Sequence, residues 1–429
     1  MAKPHHAPAR AAEKPADPYR DLESRVALYE FAELSAKVSK RPLVLFFGRQ
    51  SFCDNTKYLY LHLVESNPGY EVLWCTWHEP VLRQLRGAGL PCFDLRADMA
   101  STIKLLLAAA TVVCCENPFA AFAMAPELVG CIEGARKIQL WHGISVKHLD
   151  LMLVPHMDTR DLGFRTAIRY AMRADHLLSP ASALDDFWVR AFGCTSLVRA
   201  GLPRNEVIVR EPSARELLGA ELPAAVEAAV RDTSRRKILL TPTWQRGQAL
   251  YVSTPAFYER LARWAQANDA VVIGKTHPFL QHLPLPGTLG EHLHFVGGGV
   301  DLYPWMSHMD AMITDYSSIM FDFLLTNRPI FTFDSRTQVS YGFEPDWSLV
   351  PDHAFRYAFD QSNMDAVLDA NLTSHPLAAS QRTMQAALYE TNPASACAEL
   401  AQLVTHCTSA GVQKTFDVIH PEPGAARAA

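Results

Sequence analysis

The chain has 429 residues, 49% of them hydrophobic, and a formal net charge of -5. That is too much apolar material for one ordinary core and enough for two, and no basic excess marks a surface that would track a nucleic-acid backbone. Nine cysteines, an odd number without a C-x-x-C pair, argue against a disulfide framework or a zinc knuckle and read as buried free thiols of a reducing compartment.

Residues 1–20 are rich in Ala, Pro and charge and lack an apolar core segment, so they read as a disordered arm and not as a secretory signal. A helix is expected from about Asp21 to Val38. Short β-rich runs then alternate with helical patterns: PLVLFF from 42, YEVLWCT from 70, PCFDL from 91, TVVCCEN from 111, KIQLWHG from 137 and HLLSP from 176. Such alternation predicts βαβ units on a parallel sheet, and places a first domain over 21–209. Its longest apolar run, Ile103 to Cys115, is too short to span a bilayer. Within 160–173, Arg165, Arg169 and Arg173 recur every fourth residue beside Phe164, Ile168 and Met172. This basic amphipathic helix either rests on an anionic membrane surface or is a solvated face packed on its own lobe. Residues 210–236 turn polar, Ala-rich and charged, which suits a helical connector. The alternation resumes with KILLTPTW from 237, AVVIGKTHP from 270, LHFVGG from 293, AMITDYS from 311 and RPIFTFD from 328. A second domain is expected over 237–408, followed by a flexible tail over 409–429. The fold class is α/β, with two doubly wound domains.

Open α/β sheets bind ligands beyond the carboxyl ends of their strands, and here those ends carry reactive residue types. His142 follows a predicted strand in Gln139-Leu140-Trp141-His142-Gly143, and is expected in the cleft between the domains. In the second half the strands run into Thr241-Pro242-Thr243, Lys275-Thr276-His277-Pro278 and Asp315-Tyr316-Ser317-Ser318. Ser317 and Ser318 stand where a strand gives way to a helix; they either gather an anion such as a phosphate or, with Asp315 as N-cap, merely cap the helix. Asp322 lies four residues beyond Ser318 on the same predicted helix face and is a candidate to orient a ligand hydroxyl. No second ligand stands at metal spacing from His277, so zinc is not expected. His142 and His277 gain meaning as a pair, one from each lobe.

WHGISVKHL, GLPRNE at Gly201, LLTPTWQ at Leu239, KTHPF at Lys275, ITDYSSIMFDF at Ile313 and RPIFTFD at Arg328 resemble, in that order, the motifs of the CDP-glycerol glycerophosphotransferase family, which includes teichoic acid primases and polymerases. The resemblance implies a GT-B architecture, two Rossmann-like lobes facing across a cleft, with the acceptor on 21–209 and the CDP-alditol on 237–408. It implies transfer of glycerol phosphate, or ribitol phosphate, from CDP-glycerol or CDP-ribitol to a hydroxyl of a cell-surface glycan, polyol-phosphate or lipid-linked acceptor, with release of CMP. The family's motif histidines map onto His142 and His277, and its phosphate-binding hydroxyls onto Ser317, Ser318 and Thr241 or Thr243. Gly201 to Glu206 matches its Gly-x-Pro-Arg-Asn stretch, which adds Arg204 and Asn205 to the donor site, with Glu206 in place of the usual Asp. Gly143, Lys275, Pro278, Asp315 and Asp322 complete the expected donor set. The usual Thr-Pro-Leu after His-Gly is Ile144-Ser145-Val146 here. His142 is the expected general base and His277 the phosphate-binding partner, with the reverse assignment open. Histidine has the pKa range for such a base, and histidines, hydroxyls and a helix N-terminus can stabilise a leaving phosphate without a metal or a tightly bound cofactor. The expected location is the cytoplasm, or the inner face of the plasma membrane through 160–173. A nucleotide-sugar glycosyltransferase on the same fold and a noncatalytic glycan-binding relative are the alternatives.

Overall fold

The computed structural model describes residues 18–117, 121–122, 124–149, 151–152, 174–194, 196–243, 251–275, 290–333, 345–409 and 418–419. Seven parallel strands, β1 Arg41–Phe47, β2 Glu71–Thr76, β3 Cys92–Asp94, β4 Ala109–Cys114, β5 Arg136–Gln139, β6 His176–Ser179 and β7 Leu197–Arg199, form one sheet in the order 3-2-1-4-5-6-7. Six more, β8 Arg236–Leu240, β9 Ala270–Lys275, β10 Leu293–Val296, β11 Ala311–Thr314, β12 Ile330–Phe333 and β13 Tyr357–Phe359, form a second in the order 10-9-8-11-12-13. A short β14, Val418–Ile419, joins β7 antiparallel. Each sheet reverses its strand order once, between β1 and β4 and between β8 and β11, which makes both doubly wound.

The strands form as apolar runs because both faces of each sheet are covered. Along β1, Leu43, Leu45 and Phe47 pack into a core with Leu106, Val112 and Leu128, while Val44 and Phe46 pack oppositely with Leu59 and Val113. The alternation is the two-residue period of a pleated strand, here buried on both sides. The helix Pro18–Lys37 lies against the 3₁₀ segment Pro126–Ile132, pinned where the Ser35 hydroxyl donates to the Cys131 carbonyl at 2.6 Å. The helix Asp54–Ser66 follows β1, and its first six residues, polar as well as apolar, are all buried.

One expected boundary is corrected. The helix Ala396–Thr408, assigned above to the second domain, packs on the helix Asp54–Ser66 and on β4 of the first. The Thr408 and Thr111 hydroxyls pair at 2.8 Å, and Glu206 Oε1 accepts the Cys397 N–H at 2.6 Å, inside the first turn of that helix. An apolar stripe such as Cys397, Leu400, Leu403 and Val404 says that a helix is covered, not by which sheet. The connector contains a single two-turn helix, Ala224–Arg231. All nine cysteines are free. No described helix is long and apolar enough to cross a membrane; the arginine-bearing segment 160–173 lies outside the described residues.

Candidate active site

The carboxyl ends of both sheets open on one cleft of about 440 Å³, a volume suited to a ligand of nucleotide size. From the first lobe it is lined by the loops after β1, β2, β4, β5 and β7, and from the second by the end of β9 and the loops after β8, β10 and β11. The switch points of both sheets therefore face each other.

His142 lines this cleft, and the turn that carries it is held from several sides. Trp141 adopts a left-handed backbone, φ 51°, which a non-glycine residue tolerates only when its surroundings fix it. Its N–H donates to Gln139 Oε1 at 3.0 Å, its carbonyl accepts from Asn55 Nδ2 at 2.7 Å, and its buried ring packs edge-on against Phe192. The same ring stacks on the His142 imidazole, centroids 4.1 Å apart. Gly143 follows at φ 112°, and a Cβ there would lie 2.3 Å from Arg204 Nη2, so both backbone angle and space require glycine. His142 Nδ1 sits 3.1 Å from the Cys115 carbonyl. A carbonyl only accepts, so Nδ1 carries the proton and Nε2 keeps its lone pair. Burial, and then the Arg49 charge, push the imidazole down to about 3; it stands neutral at ordinary pH.

Across the cleft, Asp315 ties two strand ends together. Its carboxylate accepts the Thr243 N–H at 2.7 Å, the Thr243 hydroxyl and the Tyr316 N–H at 2.6 Å. The expected N-cap role is corrected: the helix is the five-residue Ile319–Phe323, its N-cap position is Ser318, and no side chain caps it. Burial holds the Asp315 carboxyl above its usual range, opposed by the Thr243 hydrogen bond and the Lys147 charge. Thr243 is thereby occupied, whereas Thr241 is not. The Thr241 residue is 7% exposed and lines the cleft, yet its hydroxyl has no hydrogen-bond partner among the described residues. Buried hydroxyls are seldom left so. Ser317, Ser318 and Lys275 also line the cleft; Lys275 Nζ donates to the Val300 carbonyl at 2.6 Å, and burial lowers its pKa.

Arg204, Asn205 and Asp322 belong to the floor beneath. Arg204 lines the cleft, but its guanidinium is spent on two carboxylates, Asp54 Oδ1 at 2.8 Å and Asp322 Oδ2 at 2.6 Å, under the Tyr303 ring at 4.6 Å. Burial works against the Asp54 charge, yet Arg204 and Arg49 hold its carboxyl below the usual range. Asp322 is fully buried and accepts in addition from Tyr303 Oη at 2.8 Å and Tyr389 Oη at 3.2 Å. The expectation that it orients a ligand hydroxyl is therefore corrected: its oxygens serve Arg204 and two tyrosines. Asn205 is fully buried as well and is not among the cleft-lining residues. His277 and Pro278 lie outside the described residues.

Several residues of the site carry no motif that would have announced them. Lys57, fully buried, pairs with Asp301 of the second lobe at 2.9 Å and donates to the Glu216 carbonyl at 2.6 Å, while Tyr58 Oη donates to Asp301 at 2.7 Å. A lysine amid DNTKYLYLHL was the available signal, since a charge at a helix-covered position needs a partner. Arg49 and Glu116 follow β1 and β4 at the cleft, where the strand-end rule points. Burial pushes the Glu116 carboxyl up to about 7 against the pull of Arg49.

Residues 29–339 match the profile of the family described as CDP-Glycerol:Poly(glycerophosphate) glycerophosphotransferase. The chain is 25% identical to a teichoic acid poly(glycerol phosphate) polymerase of Staphylococcus epidermidis, over 72% of this chain and 42% of that protein. It is 27% identical to the teichoic acid ribitol-phosphate polymerase TarL of Staphylococcus aureus, over 43% of this chain and 33% of that one. It is 23% identical to a Staphylococcus aureus teichoic acid glycerol-phosphate transferase, over 75% and 79% of the respective chains. The chain thus spans less than half of the two polymerases. In structure it resembles the wall teichoic acid polymerase TagF, with a TM-score of 0.67 at 18% identity over 91% of this chain and 96% of the other, a likeness that carries the fold and agrees with a GT-B arrangement of the lobes.

Proposed function

The chain belongs to the CDP-glycerol:poly(glycerophosphate) glycerophosphotransferase family, and from that premise we propose that its cleft transfers glycerol phosphate, or ribitol phosphate, from a CDP-activated donor to a hydroxyl of a polyol-phosphate or glycan acceptor. The acceptor oxygen attacks the phosphorus that bears the alditol. A new O–P bond forms, the bond to the CMP oxygen breaks, and the acceptor's proton passes to His142 Nε2.

One observation carries this reading: His142, which lines the cleft, is fixed with Nδ1 on the Cys115 carbonyl and its other ring nitrogen left with a lone pair, while Thr241 of the opposite wall has a buried hydroxyl without a partner among the described residues. The neutral ring is the form that accepts a proton, and the donor's phosphates bring negative charge beside it, which raises its basicity in the complex. Thr241, Ser317, Ser318 and Lys275 are the groups set to bind the diphosphate and the charge that develops on CMP; His277 is assigned to the same task by its motif. The assignment places the reaction where nucleotide-activated donors are made, on the cytoplasmic side.

The test is CMP release from CDP-glycerol and CDP-ribitol in the presence of a polyol-phosphate acceptor. His142→Ala is expected to lose about 10²–10⁴-fold in turnover with donor affinity kept within a few-fold. Unchanged turnover in that variant removes His142 from the mechanism, and turnover of a nucleotide sugar in place of both CDP-alditols favours the glycosyltransferase alternative.

A further inference from the structure

The acceptor side of the cleft carries a cation that neither the donor site nor the fold uses fully. Arg49 sits on the loop after β1, lines the cleft and has a side chain 44% exposed. It stands 3.7 Å from Asp54 and 3.7 Å from Glu116. These are ion-pair distances beyond hydrogen bonding, and none of its N–H groups makes a hydrogen bond among the described residues. Asp54 has a second and closer cation in Arg204, which binds that carboxylate at 2.8 Å. The loop itself is fixed: a Cβ on Gly48 would lie 2.2 Å from the Trp74 ring, so the backbone before Arg49 is pressed against a buried indole. A guanidinium presented this way, held by charge but with its donor fork open, suits bidentate binding of a phosphate.

Position tells which phosphate. The groups assigned to the donor diphosphate, Thr241, Ser317, Ser318 and Lys275, all stand at or just after the ends of strands of the second sheet. Arg49 follows the first, with His142 and Glu116, and its neighbours on the same wall include Trp77 and His78. Resting on the transfer reading above, we propose that Arg49 is a specificity-determining residue that binds a phosphate group of the polyol-phosphate acceptor. Glu116 fits this role. Burial already favours its protonated form, and an arriving phosphate strengthens that preference, which frees Arg49 of a competing charge.

The experiment compares two soluble acceptors, di(glycerol phosphate) and phosphate-free diglycerol, with CDP-glycerol as donor. The wild-type enzyme is expected to prefer the phosphate-bearing acceptor by about ten- to a hundredfold in kcat/KM, the worth of one charge-assisted hydrogen-bonding pair. Arg49→Gln is expected to erase most of that preference through the acceptor KM, with CDP-glycerol affinity measured by calorimetry unchanged within about twofold; Arg49→Lys, which keeps the charge, retains part of it. Equal loss on both acceptors, or loss of CDP-glycerol binding, overturns the assignment of Arg49 to an acceptor phosphate, as does a wild-type enzyme with no preference. A wild-type enzyme that binds CDP-glycerol but releases no CMP with either acceptor overturns the transfer reading and the proposal with it.

Discussion

Replacing Thr241 with valine should separate folding from binding. The threonine is 7% exposed, and its hydroxyl has no partner among the described residues, so the unliganded protein bears a desolvation cost of about 1–3 kcal/mol for that group. Valine keeps the shape and removes the hydroxyl. The unliganded variant should therefore be as stable as the parent or more so, with a melting midpoint raised by about 2–4 °C per kcal/mol if the second lobe unfolds as a unit of 150–250 residues. Its affinity for CDP-glycerol should fall, because a hydrogen bond to a charged phosphate is worth about 1.5–3 kcal/mol, or about ten- to a hundredfold in Kd. Scanning calorimetry without ligand and titration calorimetry with CDP-glycerol measure the two halves. A variant that melts earlier while binding the donor normally refutes the reasoning, since the hydroxyl would then be serving the fold and not the ligand.

Asp322→Ala leaves the buried Arg204 with Asp54 alone and strips two tyrosine hydroxyls of their acceptor; destabilisation of about 3–5 kcal/mol is expected in denaturant titrations, and a loss under 1 kcal/mol would contradict the structural role. Glu116 titrates near 7 in the folded chain against 4.5 in the free side chain, by burial opposed by Arg49 and strengthened by Asp54. A raised folded pKa gives stability that is complete below 4.5 and lost as pH rises through 7, so Glu116→Gln should gain in melting temperature relative to wild type between pH 5 and pH 8; an offset independent of pH would show that the carboxyl is not so shifted. His142 has the opposite sign: its folded pKa, near 3, lies below the 6.5 of free imidazole, so its contribution is full above 6.5 and falls as pH drops through the interval, and His142→Phe should flatten that acid-side loss. Transfer should persist at least in part after EDTA treatment, because side-chain cations and hydroxyls are the groups assigned to the leaving phosphate; activity that vanishes and returns only with magnesium would require rewriting the roles of Lys275 and His277.

Eleven of the thirteen parallel strands were legible because each is a short apolar run that ends at a polar turn, whereas β7 and β13, three residues each, do not stand out; His142, Thr241, Lys275, Ser317 and Ser318 were legible because they stand where those runs stop. What the sequence hid is long-range choice. Asp315 and Asp322 read as a cap and a ligand from local spacing, yet their partners are Thr243, 72 residues away, and Arg204, 118 residues away. Nothing local distinguishes a carboxylate that faces ligand from one that faces a buried guanidinium. The same holds for the helix Ala396–Thr408, whose apolar stripe would fit either sheet, and for Thr241 and Thr243, two residues apart and alike in sequence, of which only one is satisfied by its neighbours.

The floor of the cleft has a mechanical consequence. Two cations of the first lobe, Lys57 and Arg204, grip two carboxylates of the second, Asp301 and Asp322, all four nearly or wholly excluded from water. Drawing the lobes straight apart would strand each of these charges at a cost of several kcal/mol. The rim is joined by His148 and Asp346 at 3.4 Å, both a third or more exposed, by the Asp346 N–H donating to the Val146 carbonyl at 2.7 Å, and by Lys147 over the Tyr316 ring at 4.9 Å. Burial of these four charges therefore ties the two lobes together most strongly at the floor of the cleft, where separation would cost most.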